Sequence, residues 1–161
     1  MKRQKGDILH CHGEGWVAKC IGFFTGSYIT HTALMYDDDH VIESNFSSKN
    51  HINGVNVLPF DEWQKIYGYK FKVSRPDRFT ASMFEKAKSK INVKYDFQST
   101  FVMQPLHIIT NLWLGATNQR AQKRFYCSEF VAWVYGLPNW EQITPADVYK
   151  ICLKSPRFTQ L

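Results

Sequence analysis

Ser27-Tyr28-Ile29-Thr30-His31-Thr32-Ala33-Leu34-Met35-Tyr36, Asp37-Asp38-Asp39 and His40-Val41-Ile42-Glu43-Ser44 follow one another without a break, and together they read as a β-hairpin. The first run is rich in β-branched and aromatic residues, the aspartates make a polar turn, and the last run is the returning strand. With residues 37–39 as the loop, Ala33 falls opposite Glu43 and His31 opposite Asn45. Side chains alternate faces along a strand, so His31, Ala33, Glu43 and Asn45 share one face. His31 and Glu43 are then diagonal neighbours, roughly 7 Å apart at their α-carbons and closer at the side chains. That is a base with a carboxylate to orient it. A loop of two or four residues would turn Glu43 to the other face, so this reading demands an odd loop length.

The nucleophile that such a pair could serve lies far downstream. Phe125-Tyr126-Cys127-Ser128-Glu129-Phe130-Val131-Ala132-Trp133-Val134-Tyr135 predicts a helix that stops at Gly136 and carries Cys127 in its first turn. Phe130, Val131 and Val134 recur at helical spacing. A thiol there meets the positive end of the helix dipole and backbone N–H groups without helical partners, which favour an anionic sulfur. The same N–H groups can stabilise an oxyanion on an attacked carbonyl. Taken alone, a cysteine beside aromatics on an apolar helix is more often an inert core residue.

Five stretches in order carry a family resemblance: Gly6-Asp7-Ile8-Leu9, Thr30-His31-Thr32-Ala33-Leu34, Val41-Ile42-Glu43-Ser44, Tyr126-Cys127-Ser128-Glu129-Phe130 and Thr144-Pro145-Ala146-Asp147-Val148. They resemble the circularly permuted NlpC-type papain-like superfamily, in its YiiX-like branch. Lecithin:retinol acyltransferase is a more distant relative with the same order. In permuted members the histidine hairpin comes first and the cysteine helix last, as in this chain. The resemblance spans residue 6 to about residue 150, and Tyr95-Asp96-Phe97 also fits it. It implies a catalytic triad of Cys127 as nucleophile, His31 as base and Glu43 as orienting residue. It also implies a papain-like α+β fold, an antiparallel sheet or partial barrel packed against helices, with thiol chemistry on an amide or ester bond.

The remaining bounds agree. The 161 residues suit one domain over 1–161. A hydrophobic content of 44%, with 16% aromatics, describes a packed chain rather than a disordered one. Cys11, Cys20, Cys127 and Cys152 form no CxxC pair. Met1-Lys2-Arg3-Gln4-Lys5 is followed by Gly6-Asp7 rather than an apolar signal core. A cytoplasmic chain with reduced thiols is therefore expected. The net charge of +6 invites a nucleic-acid reading, but the basic residues are scattered. Lys86, Lys88 and Lys90 lie on a predicted helix over Ala81–Ile91 whose Phe84, Ala87 and Ile91 form an apolar stripe, so they read as its solvated face. No nucleic-acid partner is expected. The charge also suits acidic substrates or peripheral contact with an anionic membrane.

Elsewhere, Asp7-Ile8-Leu9 reads as a strand, Trp16–Ile21 as a short helix and Gly54–Pro59 as a strand. Phe60–Trp63 reads as a turn of helix and Tyr67–Val73 as a central strand. The last helix starts at Thr144, with Pro145 first and Asp147 third, a capping box with Asp in place of Glu. Residues 98–124 are strongly apolar at Phe101-Val102-Met103 and Leu106–Leu114 but too interrupted to span a bilayer. They read as a core helix or, more sharply, as an apolar insertion or lid over an acyl pocket.

His10-Cys11-His12 invites a metal reading, because His10 and His12 share a strand face. A site needs three or four convergent ligands and none is evident nearby, so no metal is expected. Asp37-Asp38-Asp39 lacks the spaced ligands and terminal Glu of a calcium loop. The resulting expectation is a cysteine hydrolase, a thiol protease, amidase or acyl-ester hydrolase/acyltransferase, that needs no cofactor and acts on a small-molecule, lipid or peptide substrate. The alternative is a non-catalytic binding module that keeps the fold and pocket.

Overall fold

The computed structural model describes residues 2–13, 15–47, 52–96 and 124–161. Its main sheet has six strands: β1 (Ile8–Cys11), β2 (His31–Met35), β3 (His40–Ser47), β4 (Ile52–Pro59), β5 (Phe71–Pro76) and β8 (Phe158–Gln160). They are hydrogen-bonded in the order β4-β3-β2-β1-β5-β8, every pair antiparallel. The hairpin from the sequence is the β2–β3 pair. Leu34 faces Ile42 and Met35 faces Val41, and the Tyr36 N–H donates to the His40 carbonyl at 2.8 Å. The loop is therefore 37–39, the odd length that the site requires. Asp37 closes it by accepting from the Asp39 and His40 N–H groups at 2.9 and 2.8 Å, so this carboxylate is engaged in the turn.

Strand alternation gives the sheet two apolar faces. Ile8, Leu34 and Ile42 lie on one, with Phe130, Val131 and Val134 of helix α4 (Cys127–Tyr135). Leu9, Cys11, Ala33, Met35 and Val41 lie on the other, with Phe60, Trp63 and Tyr67 of helix α2 (Phe60–Tyr67). Full burial of each large side chain stabilises the fold by about 1.5–3 kcal/mol. Helix α4 begins one residue after the two-residue strand β7 (Arg124–Phe125), which pairs in parallel with β6 (Lys94–Tyr95). It ends where Gly136 adopts the left-handed conformation at φ 63° and its N–H returns to the last turn. The closing helix α5 (Pro145–Lys154) is capped as its sequence predicts: Thr144 Oγ1 accepts from the Asp147 N–H at 3.1 Å, and Asp147 accepts from the Thr144 N–H at 3.2 Å.

Several local boundaries differ from the sequence reading. Helix α1 runs Gly15–Thr25, longer than Trp16–Ile21. Helix α2 continues through Tyr67 and stops at Gly68, whose φ of 75° suits glycine. The strand expected from Tyr67 therefore starts only at Phe71. The Tyr67–Val73 alternation misled because Tyr67 is the last inward position of a helix with Phe60 and Trp63. Helix α3 covers Ala81–Lys88 rather than reaching Ile91. Beyond it Asn92 sits at φ 71°, a left-handed residue that cannot continue a helix. Nor are its lysines simply solvated. The Lys86 ammonium donates to the Trp133 carbonyl at 2.7 Å, and Lys86 and Lys90 lie 4.5 and 4.9 Å from the Trp133 ring centre.

The expected insertion or lid lies outside the described residues, apart from Arg124. Among the described residues no helix is long and apolar enough to cross a membrane. The architecture is mixed α+β, an antiparallel sheet with helices against it.

Candidate active site

The site is built on the alternation of β3. Glu43 turns to the α2 face and Ser44 to the α4 face. Glu43 is fully buried, and its carboxylate is surrounded by donors. His31 Nε2 lies 2.7 Å from Oε2, and Trp63 Nε1 donates to the same oxygen at 3.0 Å. Asn45 Nδ2 donates to Oε1 at 3.1 Å and the Tyr67 hydroxyl at 3.3 Å. A carboxylate out of water needs this degree of partnering to keep its charge.

The His31 ring is equally confined. Tyr67 lies flat against it, with ring centres 4.5 Å apart and planes 7° apart. Trp63 backs Tyr67 at 5.0 Å. The Cys127 thiol lies near enough to the same imidazole to act on its charge. Because Nε2 is committed to Glu43, Nδ1 is the nitrogen left for sulfur. Burial opposes charge on the ring, but Cys127 and Glu43, through charge and hydrogen bonding, outweigh it and raise His31 from 6.5 to about 10. The structure thus brings Cys127, His31 and Glu43 together from β2, β3 and the start of α4.

Three hydrogen bonds hold that start of α4. The Ser44 hydroxyl donates to the Phe125 carbonyl at 2.6 Å, the Tyr126 hydroxyl to the Glu141 carbonyl at 3.1 Å, and the Ser128 hydroxyl to the Ile143 carbonyl at 2.8 Å. Glu129, expected to complement the helix dipole, accepts from the Tyr126 N–H at 3.3 Å. Burial raises its carboxyl well above the usual range, helped by neighbouring Asp96, Glu141 and Cys127, while the Tyr126 bond works the other way. Ser128 is the helix-start residue its position implied.

Sequence reasoning did not select Trp63, Tyr67, Cys11 or Ser44. The i, i+3, i+7 recurrence of Phe60, Trp63 and Tyr67 was the signal that could have found the first two. Cys11 sits directly opposite His31 on β1. Burial, then the charges of Glu43 and Cys127, push its thiol well up. It is a buried neutral neighbour of the site.

The metal reading does not gather ligands. His10 Nε2 pairs with Ser74 Oγ at 3.0 Å, and its ring lies 4.9 Å from Tyr149. His12, just beyond the strand, has Nδ1 3.0 Å from the Tyr28 carbonyl and stacks on the Tyr28 ring. Among the described residues no group of three or more His, Cys, Asp or Glu side chains is arranged to hold a metal ion.

No family model matches the chain, and no curated protein matches it. A crystal structure of YiiX from Escherichia coli O157:H7, described as a metalloprotein of the DUF1105 group, is similar in three dimensions. The superposition has a TM-score of 0.57 at 18% sequence identity, and covers 100% of this chain and 97% of that one. At such identity the likeness concerns architecture, and this chain has a YiiX-like α+β fold.

Proposed function

We propose that the chain is a cysteine hydrolase or acyltransferase of the permuted papain-like type, acting on an amide or ester through Cys127, His31 and Glu43. The observation that carries this reading is a single imidazole bonded to a fully buried carboxylate at 2.7 Å and coupled electrostatically to a thiol at a helix N-terminus. A packed core has no need of that arrangement, whereas nucleophilic catalysis does.

The proposed chemistry runs in two stages. The Cys127 thiolate attacks the carbonyl carbon, and the resulting oxyanion is stabilised by the Cys127 backbone N–H at the start of α4. The protonated His31 gives its proton to the departing amine or alkoxide as the tetrahedral species collapses to a thioester. Neutral His31 then takes a proton from water, or from an acceptor hydroxyl or amine, which attacks the thioester and releases Cys127. Glu43 holds the ring with Nε2–H directed to itself and supports the imidazolium. Tyr67 and Trp63 fix both partners and keep water from the Glu43 side. YiiX is described as a metalloprotein. Among the described residues of this chain, no group of three or more His, Cys, Asp or Glu side chains is arranged to hold a metal ion.

An apolar acyl group is the favoured substrate portion, on the aromatic and aliphatic sequence of residues 97–114. The test is profiling with thiol-reactive lipid-ester and peptide-amide probes. Wild type should be labelled, and both Cys127→Ala and His31→Ala should lose the label. Undiminished labelling of Cys127→Ala would overturn the proposal.

A further inference from the structure

The register of the sheet gathers one end of it around the candidate site. Cys11 at the close of β1 pairs with His31 at the opening of β2 and with Phe71 at the opening of β5. Helix α1, the 26–30 connection into β2, the end of α2 and residues 68–70 before β5 therefore all meet at the His31 end. The surface they present has an unusual composition. Phe23 is 83% exposed, Tyr69 80% and Tyr28 62%, the three most exposed large hydrophobic side chains among the described residues. Exposed Lys19, Lys65 and Lys70 lie on the same segments, and exposed Lys72 is the second residue of β5. No Asp or Glu occurs anywhere in residues 15–36 or 63–74. Asp37–Asp39 in the β2–β3 turn, whose Asp39 carbonyl accepts from the Phe60 N–H, and Asp61 and Glu62 in the first turn of α2 lie at the other end; Glu43 is buried against His31, and Glu14 immediately precedes α1 in sequence.

Exposed aromatic rings cost free energy in water, and on a monomer they mark contact surfaces. Rings interspersed with lysines fit one environment well. Phe and Tyr seat at the boundary between headgroups and acyl chains, while ammonium groups meet lipid phosphates. A protein partner would be expected to present carboxylates at discrete points. A surface whose exposed charges, among the described residues, are lysines instead suits a continuous sheet of negative charge.

We propose that this end of the molecule, centred on Phe23, Tyr28 and Tyr69 with Lys19 and Lys70, is a docking surface for an anionic lipid bilayer. Docking there holds the His31 end of the sheet against the membrane. The inference stands on exposure, charge and topology, and is independent of the thiol chemistry.

Sedimentation of the full chain with vesicles tests it, using phosphatidylglycerol–phosphatidylcholine vesicles against pure phosphatidylcholine. The chain should pellet with the anionic vesicles and be released by salt, since screened charge attracts less. Lys19→Glu/Lys70→Glu and Phe23→Ser/Tyr69→Ser should each weaken binding about tenfold or more, as two charges are reversed or two rings are lost at the interface. Leu153→Ser, at an exposed apolar side chain on α5 away from this surface, should bind like wild type. All the substituted side chains are exposed, and circular dichroism checks that the fold is kept. Absence of binding to anionic vesicles, or binding that survives both double substitutions, overturns the proposal. Equal weakening by Leu153→Ser does so as well. The same vesicles with Cys127→Ala separate the two readings, because docking should persist when thiol labelling is lost.

Discussion

Ser44 and Phe125 lie 81 positions apart and are joined by a buried hydrogen bond, the Ser44 hydroxyl donating to the Phe125 carbonyl at 2.6 Å. Glu43, one residue earlier, faces the opposite side of β3 and grips His31. One strand therefore sets both the imidazole and the chain that enters the Cys127 helix. Ser44→Ala should leave the Phe125 carbonyl buried without this donor and cost on the order of 1–3 kcal/mol of stability. At a temperature where that variant remains folded, Cys127 alkylation should also slow. A thermal melt together with the alkylation rate checks both, and an unchanged rate would show that Ser44 is structural only.

Cys127 should alkylate at neutral pH about tenfold or more faster than Cys11 or Cys152, since thiolate fraction sets the rate. Burial pushes Cys11 well up and Cys152 to about 11, so both stay protonated there. Cys20 is half-buried, and its rate should not respond to His31→Ala. Peptide mapping after iodoacetamide treatment at several pH values reads each site. Equal labelling of Cys127 and Cys152 would leave Cys127 an ordinary core thiol.

The charge on His31 should persist to about pH 10 in the folded chain. Its ordinary value is near 6.5, so protonation of this ring stabilises the fold fully below about pH 6.5. That contribution is lost as pH rises through about 10, because the folded state then holds a proton that the unfolded chain has already released. Nitrogen-15 NMR of the imidazole should show both ring nitrogens protonated at pH 8. Cys127→Ala removes one of the two anionic partners and should lower the titration midpoint.

Glu43→Gln should be more damaging than a conservative exchange suggests. The carboxylate accepts from Trp63, Tyr67 and Asn45 besides pairing with His31. An amide turns one acceptor oxygen into a donor facing other donors, costing on the order of 1–3 kcal/mol. Tyr67→Phe removes only the 3.3 Å bond and keeps the ring stacked on His31. It should retain most stability while shifting the pH–rate profile, because Glu43 loses one donor. A Tyr67→Phe variant with the wild-type pH profile would restrict Tyr67 to packing.

His10 titrates in the opposite sense. Burial lowers it to about 3, so the folded chain holds it neutral. Between about pH 6.5 and 3 the unfolded chain binds a proton that the folded one refuses, and stability should fall on acidification. His10→Asn should flatten that part of the pH–stability curve, measured by urea unfolding from pH 7 to 4. An unchanged slope would assign the acid sensitivity to other groups.

Hydrophobic periodicity and turn chemistry made much of this molecule legible. The Asp37–Asp39 turn pinned the hairpin register, and that register alone predicts that His31 and Glu43 share a face. Cys127 at a helix start, Gly136 at its end and the Thr144–Asp147 cap were readable because each depends on neighbours within four residues. What surrounds Glu43 was not readable. Trp63 and Tyr67 reach it only because α2 folds back across the sheet, and the same aromatic spacing would suit any core helix. Tyr67 reads as a strand residue in sequence because local alternation carries no trace of the ring it stacks on. Likewise, nothing near Cys11 in sequence says that it pairs across the sheet with His31, and nothing near Ser44 points to Phe125. Local pattern determined which elements form and which faces they bury. The tertiary structure decided which distant side chains complete the buried charge, because those contacts join segments that share no local signal.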